Sequence, residues 1–478
     1  MRRAPTGLAL PFAQMLQVPE SMPEPEQNAQ SATEPDTAAA PQMTAAPVAG
    51  ATHRRSLWRH ADYVKLWSAA TVSQMGSQVS LIAIPFIAAA VLQGSALQVS
   101  LLAAVEMLPF ILFALPAGAW LDRVRRRPVL IAGDFGRAAA LLSIPLAYFL
   151  GHLTIWQLYA VAFTTGFLTV LFDVADQSYL PVLLEAEDLV DGNAKLQISA
   201  SAAQILGPGF GGGLIALVAA PFAVIVDAVS FLASGGLLSL IRTHEQTPER
   251  NVGADGTRTS LRQEIAEGLR YVVGNRYLRM IAGSTATSNL GTAIAFSIFP
   301  IFAYVELGLS AAVVGTAFSI GGTGVLLGAV LSAPLARRFG IGAVIVGSMF
   351  VTGPATLVLV LIPRAAVVAG AILAASGFLM GFTAVAYNVN QVSFRQAITP
   401  LEMQGRMNAT MRFIVWGTMP LGSVIGGILG SFLPLRATIL VGGIVASSAF
   451  LWVLLSPVRS LHEIPKSERA ERAERAAE

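Results

Sequence analysis

Twelve apolar runs, each near the ~20 residues a helix needs to cross ~30 Å of hydrocarbon, constrain this chain more than any other feature. They fall at about 65–92, 97–121, 128–150, 154–176, 194–217, 219–241, 279–304, 310–336, 341–362, 365–391, 406–432 and 435–456. Apolar residues fill 54% of the 478 positions and charged ones 12%, about half the charge of a water-soluble domain. The expected fold class is all-α integral membrane, with twelve transmembrane helices.

Arginine and lysine gather on alternate connections, which sets the expected orientation. Arg54, Arg55, Arg59 and Lys65 precede the first run, and Arg123, Arg125, Arg126 and Arg127 follow the second. Arg242, Arg250, Arg258, Arg262, Arg270 and Arg276 follow the sixth, and Arg337, Arg338, Arg395 and Arg406 mark later connections. The opposite set holds only Arg364 and Arg436. Both termini are therefore expected in the cytoplasm, as an even number of spans requires. An alanine-rich chain with many arginines and three lysines suggests a high-GC bacterial genome, hence a bacterial cytoplasmic (inner) membrane.

The flanking segments read differently. Residues 1–56 are rich in Pro, Ala, Glu and Gln, with too little apolar surface for a core, so a disordered cytoplasmic tail is expected. No hydrophobic stretch of signal-peptide length follows its basic start. Residues 458–478 alternate Arg and Glu at helical spacing, as a charged cytoplasmic tail. Residues 243–278 form a cytoplasmic linker, in which 259–276 puts Leu261, Ile265, Leu269 and Val272 or Val273 on one helix face. That helix is expected either to lie on the leaflet or to pack beneath the bundle.

Two six-span bundles remain, 57–242 and 279–457, and they repeat each other. At an offset of 215, Arg123 pairs with Arg338, Gly166 with Gly381, Ser178 with Ser393, Asn193 with Asn408, Gly207 with Gly422 and Gly211 with Gly426. Parallel six-span repeats are a pattern of secondary transporters, which hold substrate between the halves at the membrane midplane.

An ionisable side chain at a span centre costs ~2.5–3.5 kcal/mol on insertion scales, so those present should face a cavity or a partner. Glu106 lies near the middle of the second run and is the leading candidate to carry a proton; Asp227 lies at similar depth in the sixth. Asp134 and Arg137, one turn apart in the third, are expected to pair. Arg412, in the inner third of the eleventh, could hold an anionic substrate or Glu106, or bond span-end carbonyls. Gln74, Gln78, Thr165, Asn289, Phe296, Tyr387 and Asn388 are the nominated substrate cavity, suited to bulky amphipathic molecules better than to sugars or small ions. Between the second and third runs, Asp122 and Arg126 could pair across one helical turn, with Asp173 or Asp176 as a second contact. Such a cluster would latch the outward-facing state; arginines that merely fix topology are the alternative, though they leave the Asp unexplained.

Other classes lack their chemistry. Cysteine is absent, and the five histidines lie outside the runs, so a membrane enzyme with metal, haem or thiol chemistry has no ligands. No Gly-rich phosphate loop ends in one of the three lysines, so no nucleotide motor is present. A net charge of +3 advertises no nucleic-acid surface. The expectation is a non-enzyme without cofactor or metal, working as a monomer in the lipid bilayer on a small-molecule substrate and drawing on an ion gradient. A driving force of about 200 mV supplies ~4.6 kcal/mol per proton, enough for roughly a thousandfold gradient of a neutral substrate.

GAWLDRVRRRPVL at 118–130 resembles the loop signature of the major facilitator superfamily, G-x-L-A-D-R-x-G-R-R-x-x-L. Gly118, Asp122, Arg123, Arg126, Arg127 and Leu130 match it, while Trp120, Leu121 and Arg125 depart from it. APLARRFG at 333–340 is a worn second copy. AAQILGPGFGGG in the fifth run resembles the antiporter signature G-x-x-x-G-P-x-x-G-G through Gly207, Pro208, Gly211 and Gly212, with Ala203 at the first glycine. Small residues at this spacing let helices approach closely and a Gly-Pro pair loosens the backbone ladder, so the span could bend; tight packing with no moving part is the alternative. FDVADQSYLP, VDAVSF and GRMNATMRFIVWGTMPLGSVIGG are similar to segments of the third drug:proton antiporter branch, which includes enterobactin and macrolide exporters.

The resemblance covers about 57–460 and implies the major facilitator fold, two pseudo-symmetric six-helix bundles. It further implies a proton-coupled exporter of small amphipathic molecules (drug, antibiotic or siderophore) working by alternating access; a flippase of lipid-like molecules or an importer of the same fold is the alternative. The Asp-Arg loop would then be the cytoplasmic gate, and Asp227 would anchor a span that faces away from the pathway. Two departures bear on coupling: the first run carries Gln74 and Gln78 in place of an acid, and the fourth lacks an arginine.

Overall fold

A helix buried in lipid satisfies its own backbone, and each apolar run takes that solution. The structure, a computed structural model, describes residues 57–121, 124–185, 188–243, 245 and 261–462. The expected tail at 1–56, the far end after 462, most of the linker's first half, and Asp122 and Arg123 lie outside the described residues. The helices are α1 (Ala61–Phe86), α2 (Ala96–Leu121), α3 (Arg126–Phe149), α4 (Ile155–Leu183), α5 (Leu189–Leu217), α6 (Ala220–Ser239), α7 (Leu261–Gly274), α8 (Arg276–Ser297), α9 (Ala311–Phe339), α10 (Ile341–Leu357), α11 (Ala366–Ile398), α12 (Leu401–Phe432) and α13 (Leu435–Leu454). All but α7 are long and apolar enough to span a membrane. π turns at Ile87–Val91 and Ile301–Glu306 prolong the ends of α1 and of the run that begins with α8.

Local chemistry sets the ends. Thr154 Oγ1 accepts the Gln157 N–H, Ser310 Oγ accepts the Val313 N–H, and Asn275 Oδ1 accepts the N–H groups of Tyr277 and Leu278, capping α4, α9 and α8. Gly340, at φ 85°, makes the turn between α9 and α10 that a side chain would strain.

Two-fold repetition governs the packing. α1 packs on α5 and α6, α2 on α4, and α3 on α4 and α6; α8 packs on α12 and α13, α9 on α11, and α10 on α11 and α13. The contacts repeat at residue level: Gly76 of α1 lies against Ser230 of α6, and Gly291, 215 positions on, lies against Gly442 and Ala446 of α13. Without a Cβ, Gly76 admits the Ser230 side chain and Gly291 admits the backbone of α13.

The halves meet through α5 with α9 and α2 with α12, which the repeat interchanges, and through the two π turns. The end from which α1 departs is called proximal below, the other distal. One apolar core at the distal end draws on both halves, including Val79, Ile82 and Val99 from the first and Ile298, Phe302 and Val314 from the second. At the proximal end the core is split. Tyr63, Leu121, Leu130 and Tyr179 form one cluster within the first half, and Leu278, Ile345, Phe394 and Met407 form another within the second. The molecule is sealed distally and parted proximally.

Helix α7 settles between its two expected settings by packing beneath the second half. Val272 is fully buried, Gly268 abuts Thr410 and Arg406 of α12, Glu267 pairs with Arg406 at 2.5 Å, and the Tyr271 hydroxyl donates to the Ile398 carbonyl. Leu269 and Val273 stay exposed on its other side.

Candidate functional site

The parted proximal halves leave a chamber whose walls α2 and α12 share. Glu106 is exposed at mid-length on α2. Leu108 and Leu112, also exposed, lie about 200° and 240° round the helix from it at 100° per residue, so the carboxyl points inward while those leucines face lipid. Behind it α4 comes close at Gly166, where a Cβ would stand 2.5 Å from the Glu106 carbonyl oxygen. Arg412 of α12 is exposed too. Leu421, Ile428 and Phe432 are exposed within ~20° of the diametrically opposite side of α12, so Arg412 also faces inward.

An aromatic bridge joins these walls. Phe110 and Trp416 lie with ring centroids 5.8 Å apart, and the Arg412 guanidinium sits 6.0 Å from the Trp416 ring. Glu106 is one turn distal of Phe110 and Arg412 one turn proximal of Trp416, so the two charges are offset by ~12 Å along the axis and do not pair. Among the described residues no basic side chain is bonded to Glu106, and no carboxylate or carbonyl to Arg412. Phe113, packed edge-on against Phe163 and Phe167 of α4, extends the aromatic wall.

The other intramembrane charges are built into the first half. Asp134 and Arg137 pair at 2.5 Å, as their spacing predicted, with Asp134 at 0% exposure. The guanidinium is sandwiched between Phe172 and Phe231 at 4.3 and 4.2 Å, and it donates to Thr169. Asp227 is buried between α6 and α1, accepting from Ser77 and Ser230. Asp173 is exposed and Asp176 half-buried on the proximal part of α4.

The nominated cavity residues divide. Gln74 is half-buried with its Oε1 unsatisfied, Gln78 lies against Gly207 of α5, and Asn388 is exposed on α11. Thr165 donates to the Val161 carbonyl on its own helix, and Asn289 to the Val415 carbonyl of α12. Phe296 belongs to the distal seal, tilted against Phe299, which in turn stacks on Phe318. Tyr387, at 2% exposure, is bonded to Thr285 inside the second half.

Glycine and proline in α5 serve the contact between halves. A Cβ at Gly212 would strike the Ala311 carbonyl, Gly315 of α9 abuts Pro208, and the Gly209 N–H donates to Ser319 Oγ across the seam at 2.7 Å. Gly207 and Gly211 face α1 instead. The helix runs unbroken through Pro208.

The Asp-Arg loop holds a residue that sequence reasoning missed. Helix α2 ends at Leu121 and α3 starts at Arg126, and the expected pairing of Asp122 with Arg126 lies outside the described residues. Gly118 lies in the last turn of α2. Arg126 is held by Glu245, which accepts the N–H groups of Arg126 and Arg127 at 2.8 and 3.1 Å and pairs with the Arg126 guanidinium at 3.3 Å. Glu245 therefore caps α3. Arg127 donates to the Leu238 and Ser239 carbonyls at the end of α6. Asp62 accepts from Lys65 and from the N–H groups of Arg242 and Thr243. In the second half the start of α10 is capped at the equivalent place: Ile341 and Gly342, 215 positions beyond Arg126 and Arg127, donate to the His462 and Leu461 carbonyls.

A family model described as transmembrane secretion effector matches residues 55–476. The multidrug efflux pump Tap of Mycolicibacterium fortuitum is 28% identical over 387 residues, covering 78% of this chain and 90% of that one. The MFS-type transporter YvqJ of Bacillus subtilis (strain 168) is 24% identical, covering 79% and 86%. Among solved structures, a bacterial homologue of the iron transporter ferroportin in an inward-facing state superposes with a TM-score of 0.64 at 18% identity, over 84% of this chain and 100% of that one; this likeness speaks to fold.

Proposed function

We propose that this chain, which belongs to the transmembrane secretion effector family of major facilitator transporters, is a proton-coupled exporter of small amphipathic molecules working by alternating access. Glu106 carries this reading: an inward-pointing carboxyl at mid-membrane, open to the chamber, with no basic partner among the described residues. A carboxyl in such a place can exchange its proton for a cationic substrate as access alternates, since the two compete for one negative charge. The Phe110–Trp416 bridge and the Phe113 cluster offer flat apolar surface beside that charge, which suits a lipophilic cation such as a dye or drug. Kinship with Tap supports the outward direction.

With both termini cytoplasmic in a bacterial inner membrane, the parted end faces the cytoplasm and the structure is the substrate-loading state. The rocking bodies would be 57–242 and 279–457, joined by 243–278, each chain acting alone as a monomer. Asp173 and Asp176 on α4 would close against the second half, together with the Asp122–Arg123 loop, when the cytoplasmic side shuts. Asp134, Arg137 and Asp227 are assigned to holding the first half rigid. Of the nominated cavity, Gln74, Gln78, Asn289 and Asn388 are retained beside Glu106 and Arg412, with Phe296 reassigned to the distal gate.

The test is transport by proteoliposomes with an imposed pH gradient. Wild-type protein should accumulate ethidium against its gradient, and Glu106→Gln should lose at least tenfold of the gradient-driven rate, with ethidium exchange at equal pH weakened as well because the cation loses its charged partner. Gradient-driven uptake unchanged in Glu106→Gln would sink its coupling role; a broad panel of lipophilic cations left unmoved by wild-type protein would sink efflux itself.

A further inference from the structure

Two adjoining cavities at the proximal edge of the first half lie outside the chamber and outside the proposed pathway. One, of about 580 Å³, is lined by His60, Asp62, Lys65, Leu240, Arg242 and Thr243. The other, of about 490 Å³, shares Arg242 and Thr243 and adds Arg125, Arg127, Ile131 and Glu245 among its walls. The charged lining is cationic on balance, Lys65, Arg125, Arg127 and Arg242 against Asp62 and Glu245. Both carboxylates are already taken. Glu245 is buried on the backbone of Arg126 and Arg127, and Asp62 binds Lys65 and the amides of Arg242 and Thr243.

The floor below this cationic mouth is apolar and shallow. Along α3, Pro128, Ile131 and Ala132 line the second cavity, and the exposed ring of Phe135 continues their stripe one turn deeper. Facing it on α6, Gly235 touches the Phe135 ring, while a side chain at Gly236 would meet nothing within 4 Å. Leu232 and Val229 carry the exposed apolar face towards mid-membrane. Arg242 stands three residues past the end of α6 and Arg125 immediately before α3, at the depth where headgroups begin.

From this juxtaposition we infer that the groove between α3 and α6, with the exposed Arg242 at its mouth, is a binding site for an anionic phospholipid. The phosphodiester sits on the Arg242 guanidinium, and an acyl chain lies along Ala132, Phe135 and Gly236. Basic pockets between spans at this level suit anionic headgroups, and planar guanidinium groups bind phosphate oxygens in pairs. A lipid seated here would brace α1, α3 and α6 where Asp62, Arg127 and Glu245 already tie them. The phosphate could also come from a soluble anion, which the experiment separates.

Native mass spectrometry of the full-length protein in detergent, titrated with phosphatidylglycerol or phosphatidylcholine, reads the site directly. Wild type should retain phosphatidylglycerol at least fivefold more than phosphatidylcholine. Arg242→Ala should remove most of that preference, and Gly236→Leu, which fills the groove without touching a charge, should reduce retention of both lipids. Circular dichroism and size exclusion confirm that the variants fold. Equal retention of both lipids by wild type, or a preference unchanged in Arg242→Ala and Gly236→Leu together, overturns the site. Displacement of phosphatidylglycerol by an equimolar amount of inorganic phosphate or glycerol phosphate overturns the lipid and leaves a soluble-anion site.

Discussion

One glutamate from beyond α6 holds the start of α3 on the proximal face. Glu245 places a buried carboxylate on two N–H groups that the first turn of α3 cannot satisfy internally, and a third contact comes from the Arg126 guanidinium. Replacing it with alanine leaves those donors and one guanidinium without their acceptor, at a cost of ~1–2 kcal/mol for the cap. Glu245→Ala should therefore lower the thermal unfolding midpoint in detergent measurably, whereas Glu267→Ala, which removes a pair that is exposed on both sides, should shift it little. Equal shifts would show that Glu245 is not a cap. The sequence could not announce this residue, because its partners lie 119 and 118 positions away. Glu106 was nominated because a lone carboxyl within an apolar run is conspicuous, and the pair of Asp134 with Arg137 was legible because helical spacing puts them on one face. That Tyr387 is buried against Thr285 was not legible: depth in a span can be read from sequence, but which side of the helix meets a neighbour depends on helices a hundred residues distant.

At the scale of elements, hydropathy located all twelve spanning helices and their distal ends, and fell short at one recurring place. Helix α4 runs to Leu183 and α11 to Ile398, each seven residues past its apolar run, and α5 and α12 each begin five residues before theirs. These four proximal ends are related by the 215-residue repeat. Their added turns carry polar side chains such as Asn193, Gln396 and Gln404, which end a hydropathy run without ending a helix, since the backbone ladder continues into water. The seam between α5 and α9 is the complementary case, where glycine and proline signalled a close approach but not the partner. It is held by glycine contacts and by the Gly209 N–H bond to Ser319. Ser319→Ala removes one neutral hydrogen bond, worth ~0.5–1.5 kcal/mol, so distal opening should become up to about tenfold more frequent. Gly212→Leu should part the seam outright by pushing the Ala311 carbonyl away. The chain has no cysteine, so Ala311→Cys, buried where α9 meets Gly212, is a clean reporter. Its maleimide labelling should rise modestly in Ser319→Ala and strongly in Gly212→Leu; identical labelling in all three backgrounds would mean the seam is not the distal gate.

For the whole molecule, alternating access requires a second packing of the same halves, and the distribution of core residues says what must change. A shared distal core must divide, and two separate proximal cores must meet. Moving such an equilibrium from 1:99 to 99:1 takes ~5.5 kcal/mol of differential binding, and a ligand that binds both states equally moves nothing. What the proton and the substrate contribute to that shift is the difference in their affinity for the two packings, so Glu106 must bind its proton and the cation unequally in the two states. Spin labels can read both ends independently. Asn193 of α5 and Gly405 of α12 are exposed on opposite halves at the proximal mouth, and a side chain at Gly405 would meet nothing within 4 Å. Leu217 and Val305 are exposed on opposite halves distally. On adding a transported lipophilic cation, the 193–405 distance should shorten and the 217–305 distance lengthen in the same fraction of molecules, because both report one rigid-body exchange. In Glu106→Gln the cation loses its charged partner, so both shifts should shrink together. A proximal distance that shortens while the distal one stays fixed would mean local gating of α4 and α5 over an immobile seal, and the two-body mechanism would have to be abandoned.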